Sequence, residues 1–402
     1  MELPIWPQWP LHFDAALRFA AALLLTACAG ELARRRAGLP AVSGQMLAGL
    51  VLGPLLLGWL TADDLAAYRV VLDFALALLL FELGIRLDLR WFVANPWMLA
   101  CSVAEAAFSF VLAFAALFAL GVAPGVALAV AAVAVGTSPA VVMRVTAELR
   151  ATGQVTERLL ALCALNVAWS VILFKLVAGY VHGAAPEGWL ASVLHPLYLV
   201  VGSLLVGVLV AAAFVLLRRG FDLGSEAGVV AIFGLLLAML AVLAALRLPA
   251  ILAPLAAGLA IKWYDPRPQR WPAHFGSAGG VLVIALFMFA GVTMNASELL
   301  AGLPAALAAI AARVVGKVGG VAAFGPASGL SLRQSLALGG ALLPLSAVAL
   351  LLLEDARQLY PAFAAELAPV VLAMVALLGV LGPIVTQRTL IGVRENRSGD
   401  SP

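Results

Sequence analysis

Gly136-Thr137-Ser138-Pro139 and, beyond a charged turn holding Arg144, Glu148, Arg150, Glu157 and Arg158, Ala164-Leu165-Asn166-Val167-Ala168-Trp169-Ser170 form the stretch that decides the fold. Two hydroxyls and a proline interrupt one apolar segment, and a lone asparagine sits inside the next. Proline lacks a backbone donor and frees a carbonyl one turn earlier. In hydrocarbon such groups persist where they face protein or a polar cavity. The two segments therefore predict a polar site inside a bundle of membrane-spanning helices.

Composition agrees with that reading. The chain of 402 residues is 64% hydrophobic and 11% charged, with mean hydropathy +1.09, whereas soluble domains carry about 25% charged residues. Apolar runs recur throughout, each long enough as helix to cross a core about 30 Å thick. A barrel would instead show alternating segments of about ten residues. The net charge of +3 points to no nucleic acid. Cys28, Cys101 and Cys163 fall singly within predicted spans and read as small buried residues, with neither disulfide nor metal spacing. The first apolar run lacks a basic leader and is kept as a span.

Hydropathy and breaker residues predict thirteen helices, near 14–34, 40–60, 68–87, 95–121, 124–148, 156–181, 192–217, 225–245, 248–263, 275–294, 302–326, 332–353 and 362–388. Alternate loops then divide the charge unevenly. One set holds seventeen basic residues, from Arg34-Arg35-Arg36 to Arg394 and Arg397, and the other holds Arg69, Arg247 and Arg357. The positive-inside rule predicts an external N-terminus and a cytoplasmic C-terminus, with 391–402 a short cytoplasmic tail in a plasma (inner) membrane protein. Arg34-Arg35-Arg36 reads as a topology determinant at anionic lipid.

A repeat runs through the chain. Leu39-Pro40-Ala41 with Gly49-Leu50 recurs 209 residues later as Leu248-Pro249-Ala250 with Gly258-Leu259. Gly84-Ile85-Arg86 recurs after 207 as Gly291-Val292-Thr293, and Pro139 after 205 as Pro344. Loop charge starts the Pro40 helix inside and the Pro249 helix outside. The halves, about 39–181 and 248–388 within a transmembrane domain 1–390, are thus inverted, as in secondary transporters with a midplane site between broken helices.

From Glu31 through Gly53-Pro54, at Leu80-Phe81-Glu82-Leu83-Gly84-Ile85-Arg86-Leu87, and at Thr137-Ser138-Pro139 with Arg144, Glu148-Leu149 and Gly153, the chain resembles the monovalent cation:proton antiporter superfamily, the sodium/hydrogen exchanger-like transmembrane domain. Phe287 to Gly291 and Ser331 to Gly340 fit its later segments, so that the resemblance covers about 14–390. It implies a moving bundle of spans four to six and eleven to thirteen, a scaffold of the remaining spans that dimerises, and a site shared by cation and proton. It implies no organic cofactor. The proton-coupled members carry an Asp on the sixth helix where this chain has Asn166-Val167. The Gly-Glu pair often found in their second broken helix is replaced by Pro344-Leu345-Ser346-Ala347.

Candidate site residues follow from depth. Asn166, the hydroxyls of Thr137, Ser138 and Ser346, and carbonyls freed at the broken-helix prolines Pro139 and Pro344 are candidate ion ligands, with interhelical or local back-bonding as the other use of such groups. Glu105 and Arg313 lie well inside apolar spans, where an unpaired charge costs about 2.5–3.5 kcal/mol or more. They are 208 residues apart, so the repeat sets them at similar depth and predicts that they pair. Glu105 then replaces the missing Asp as the titratable group, burial disfavouring its charged form and Arg313 favouring it; a static ion pair is the other reading. Lys317, one turn from Arg313, is a second charge-compensating candidate that either binds something negative or snorkels, and Lys175 reads as snorkelling. Glu82 and Asp73 read as funnel residues, and His12, His182, His195 and His274 lie near loops. Gly316, Gly319 and Gly320 permit close helix packing. The leading expectation is Na⁺ or K⁺:proton antiport. An anion or organic-solute transporter on the same fold, and a non-transporting regulatory paralogue, are the alternatives.

Overall fold

The computed structural model describes residues 15–61, 64, 68–182, 189–218, 226–264, 273–345 and 347–396. Among them the elements run α1 (Ala15–Ala37), α2 (Ala41–Leu52), α3 (Arg69–Arg86), α4 (Leu89–Ala94), α5 (Pro96–Ala119), α6 (Pro124–Val135), α7 (Pro139–Glu148), α8 (Gln154–His182), α9 (Trp189–Leu217), α10 (Glu226–Ala245), α11 (Leu252–Tyr264), α12 (Ala273–Val292), α13 (Ala296–Phe324), a 3-10 turn (Pro326–Ser328), α14 (Leu332–Ala341), α15 (Ala347–Leu359) and α16 (Pro361–Gly392). Every predicted segment contains helix. Among the described residues eight stretches, counting Pro124–Glu148 across its break, are long and apolar enough to cross a membrane.

Local chemistry explains the boundaries. Prolines stand in the first turn of α5, α6, α7 and α16, where the missing donor would be unpaired anyway. Ser331 and Gln334 form a reciprocal capping box at the start of α14. Several boundaries differ from expectation, the twelfth segment for one running on to Leu359 and not ending near 353. The second helix stops at Leu52 rather than near 60, because Gly53-Pro54 turns the chain back so that Trp59 N bonds Leu52 O at 2.9 Å. The eleventh segment starts at Ala296 rather than 302, since Asn295 Oδ1 accepts from Ser297 N at 3.1 Å and Pro304 is carried inside the helix. The short α4 went unforeseen; Asp88 caps it through Arg90 N at 2.9 Å. Cys28 is exposed while Cys101 and Cys163 are buried, because α1 lies at the edge of the molecule.

The inverted repeat reappears as packing. A methyl group placed on Gly49 of α2 would come within 3.0 Å of Gly291 Cα in α12, and one on Gly84 of α3 within 2.9 Å of Gly258 Cα in α11. Gly49 and Gly258 are repeat mates, as are Gly84 and Gly291, so one contact is the image of the other. Around it, Phe74, Phe81 and Ile85 of α3 pack with Phe214, Leu236, Met239 and Ala257. A larger apolar cluster surrounds α6 and joins α8, α15 and α16. The most extensive helix pairing is between α5 and α13.

That pairing depends on glycine. A Cβ on Gly320 would meet Glu105 Cα at 2.5 Å, and one on Gly316 would meet Ser109 Cα at 2.6 Å, whereas nothing lies within 4 Å of one on Gly319. The backbones therefore touch along a Gly316/Gly320 stripe and run antiparallel. Gly320→Leu is expected to lower stability by about 1–3 kcal/mol through overpacking, and Gly319→Ala to stay within about 0.5 kcal/mol of the parent. Thermal unfolding of detergent-solubilised protein distinguishes the two.

Candidate functional site

The two interrupted helices cross at their breaks. α6 ends at Val135 and α7 begins at Pro139; α14 ends at Ala341 and α15 begins at Ala347. Thr137 Oγ1 donates to Leu342 O at 2.8 Å, and Ser138 N donates to Pro344 O at 2.9 Å. Thr137 and Leu342 are themselves 205 residues apart, so the repeat mates meet at the crossing. Ser138 Oγ caps α7 by accepting from Val141 N at 3.5 Å. Ser346 lies outside the described residues.

Helix ends leave carbonyls without intrahelical donors, and α13 supplies the donors here. Arg313 donates to the carbonyls of Ala134, Leu342 at 3.0 Å, Leu343 at 3.2 Å and Pro344 at 3.5 Å. Lys317 Nζ donates to Val135 O at 2.9 Å and to Glu105 Oε1, with which it forms an ion pair. Positive charge at the carboxyl ends of α6 and α14 also suits the helix dipoles. Asn166 on α8 completes the cluster, its Nδ2 donating to Thr137 Oγ1 at 3.2 Å and to Glu105 Oε1 at 3.4 Å. Glu105, Asn166, Arg313 and Lys317 have no exposed surface.

Glu105 pairs with Lys317, and not with Arg313 as the repeat had implied. The two-fold axis of an inverted repeat lies in the membrane plane, so mates sit at equal distances on opposite sides of the midplane. Gly320 faces Glu105 across the helix pair, and Arg313 is seven residues back, about 10 Å along the helix. Lys317, between them, reaches Glu105. Its snorkelling alternative is excluded by its full burial. Lys175 also does not snorkel: it is 5% exposed and binds Asp355 Oδ2 at 2.6 Å.

Two acceptors of the cluster, Glu105 Oε2 and Asn166 Oδ1, are buried with no protein donor. Buried oxygen lone pairs without donors are destabilising; a bare cation can ligate both oxygens, while a proton binds the carboxylate and not the amide. Of the residues singled out in the sequence, Glu105, Asn166, Thr137, Arg313 and Lys317 meet at the crossing. The sequence did not indicate that Arg313 would serve backbone carbonyls, because no side-chain pattern records them. It also did not single out Glu395, which is 9% exposed and holds the start of α8 through Val155 N at 2.8 Å, Thr156 N at 2.7 Å and Thr156 Oγ1 at 2.8 Å; a tail carboxylate carries no periodic signal. Glu82 pairs with Arg86 at 2.5 Å. Asp73 lines a cavity of about 330 Å³ between α3 and α15.

Residues 20–392 match the family model described as "Sodium/hydrogen exchanger, transmembrane". A stretch of 85 residues is 34% identical to the Na⁺/H⁺-K⁺ antiporter GerN of Bacillus cereus, covering 21% of this chain and 21% of that protein. The fold matches that of the sodium proton antiporter MjNhaP1 from Methanocaldococcus jannaschii, with TM-score 0.70 at 17% identity over 94% of this chain and 95% of that one.

If Arg313 holds the crossing together, Arg313→Ala destabilises the protein by about 1–3 kcal/mol for each buried carbonyl left without a donor, and Arg313→Lys recovers part of the loss. Melting temperatures in detergent test this, and an unchanged value for Arg313→Ala would contradict it.

Proposed function

The chain belongs to the sodium/hydrogen exchanger transmembrane family, and on that premise we propose that it exchanges a monovalent cation, Na⁺ or K⁺, for protons by alternating access, with Glu105 as the carboxylate that both species share. The protein is a multi-pass membrane transporter and not an enzyme. One observation carries the proposal. Glu105, fully buried at the crossing, gives one oxygen to Lys317 and Asn166 while its other oxygen has no protein donor.

The steps follow from that geometry. With no cation bound, a proton occupies Glu105 Oε2 while Oε1 stays on Lys317. An arriving cation takes Glu105 Oε2 and Asn166 Oδ1 in its place, and the proton leaves Oε2 to water. A proton from the other side reverses the exchange. Asn166 supplies an uncharged ligand, and Thr137 orients its amide. Arg313 stays on the backbone carbonyls throughout and sets a constant positive field. No organic cofactor takes part.

Anion transport is less well supported, because two of the three N–H groups of Lys317 and most of those of Arg313 already serve Glu105 and carbonyls. The proposal also takes the N-terminus as external, the C-terminus as cytoplasmic, the membrane as the plasma (inner) membrane and the protein as a homodimer formed through the scaffold helices. Loop charge supports the orientation.

In proteoliposomes with an imposed pH gradient, the parent protein is expected to move protons on addition of Na⁺ or K⁺, and Glu105→Gln to abolish the movement. Asn166→Ala should weaken apparent cation affinity roughly tenfold, the effect of about 1.4 kcal/mol. Cation-driven proton movement that persists unchanged in Glu105→Gln would refute the assignment.

A further inference from the structure

Two carboxylates outside the site join the bundles at opposite ends of the molecule. Glu148, the last residue of α7, receives Arg144 Nε on Oε1 at 3.2 Å and the backbone N of Ala41, the first residue of α2, on Oε2 at 3.2 Å. Glu354 on α15 receives Nη1 of Arg69, the first residue of α3, at 3.0 Å, with Arg357 at 3.9 Å from its second oxygen. Glu354 stands 206 residues after Glu148, the spacing that relates the two broken helices. Glu148 thus ends the second half of one broken helix, Glu354 lies five residues before the end of the second half of the other, and each touches the start of a helix outside the moving bundle.

The two contacts lie at opposite faces. Near Glu148, α8 starts and α16 ends, with Thr152 N bonding Glu395 O at 3.0 Å. Near Glu354, α15 ends and α16 starts, with Tyr360 between them. Each contact stands beside a cavity. One of about 330 Å³ is lined by Arg69, Asp73, Thr293 and Glu354 and follows α15 down to Ala347 at the break. The other, of about 470 Å³, is lined by Arg86, Thr146, Arg150 and Ala151. With both contacts made, the four site side chains are sealed from both faces.

We propose that Glu148 and Glu354 are repeat-related latches: the structure is the occluded state with both closed, and access opens to one face when the Glu354–Arg69 pair breaks and to the other when Glu148 leaves the start of α2. The inference rests on the alternating-access reading above. Glu354–Arg69 is a partly exposed ion pair (side chains 34% and 45% exposed), so its loss shifts the balance of states by about two- to fivefold. A shift of that size biases access without abolishing it.

The test reads access and not transport. Cys28, Cys101 and Cys163 are replaced by Ala, and a reporter cysteine is introduced as Thr293→Cys in the cavity beside Glu354 or as Ala151→Cys in the cavity beside Glu148. A membrane-impermeant maleimide is then added to right-side-out or inside-out vesicles. Glu354→Gln is expected to raise labelling at position 293 about two- to fivefold and to lower it at 151, and Glu148→Gln to do the reverse. The charge-reversed pair Arg69→Glu with Glu354→Arg should restore the parent ratio, which a misfolded protein would not do. Labelling unchanged by both variants, or changed in the same direction at both positions, overturns the latches, as does failure of the reversed pair to restore the ratio. Opposed labelling in a protein that moves no cation would leave the latches standing and overturn the exchange reading instead.

Discussion

The ion pair between Glu105 and Lys317 is the interaction on which the rest of the structure depends. A lone charge at that depth costs about 2.5–3.5 kcal/mol or more, and breaking a buried pair costs about 3–5 kcal/mol, so neither helix tolerates loss of the other's charge. The pair forms because Gly316 and Gly320 let α13 lie directly on the backbone of α5. Close packing thus sets the electrostatics, and the electrostatics in turn keep α5 and α13 in register.

From that pair the charge arrangement extends outward. Two cations and one carboxylate leave a formal excess of positive charge, which the carbonyl ends of α6 and α14 receive. The breaks are therefore more than sites of exposed backbone. They are acceptors that make a buried arginine tolerable, and they leave Glu105 and Asn166 each with an oxygen to spare. Where the resemblance leads one to expect an acid on α8, the amide of Asn166 stands, and the carboxylate of Glu105 on α5 lies within 3.4 Å of it.

Much of this was legible in the sequence. Hydropathy marked where the long apolar helices lie, of which eight among the described residues are long and apolar enough to cross a membrane, and the spacing of Pro139 and Pro344 marked the breaks that meet at the crossing. Depth alone singled out Glu105, Arg313 and Lys317. The misassigned partner has a simple geometric cause: repeat offset says which residues are equivalent, whereas an in-plane axis carries equivalent residues to opposite sides of the midplane. Lys175 was misread because its partner, Asp355, sits on a helix distant in sequence. The links from Arg313 to carbonyls and from Glu148 to the Ala41 amide involve backbone, which side-chain patterns do not reveal. The offset does, in retrospect, place Glu354 opposite Glu148.

The central claim is that cation and proton compete for Glu105, and proton release on cation binding tests it most directly. Purified protein in weakly buffered detergent solution is titrated with NaCl or KCl, with choline chloride as the control for ionic strength, while pH is recorded. The account predicts saturable release of protons by the inorganic cation, lost in Glu105→Gln. Saturable cation binding with no proton release, or release that survives in Glu105→Gln, would contradict it.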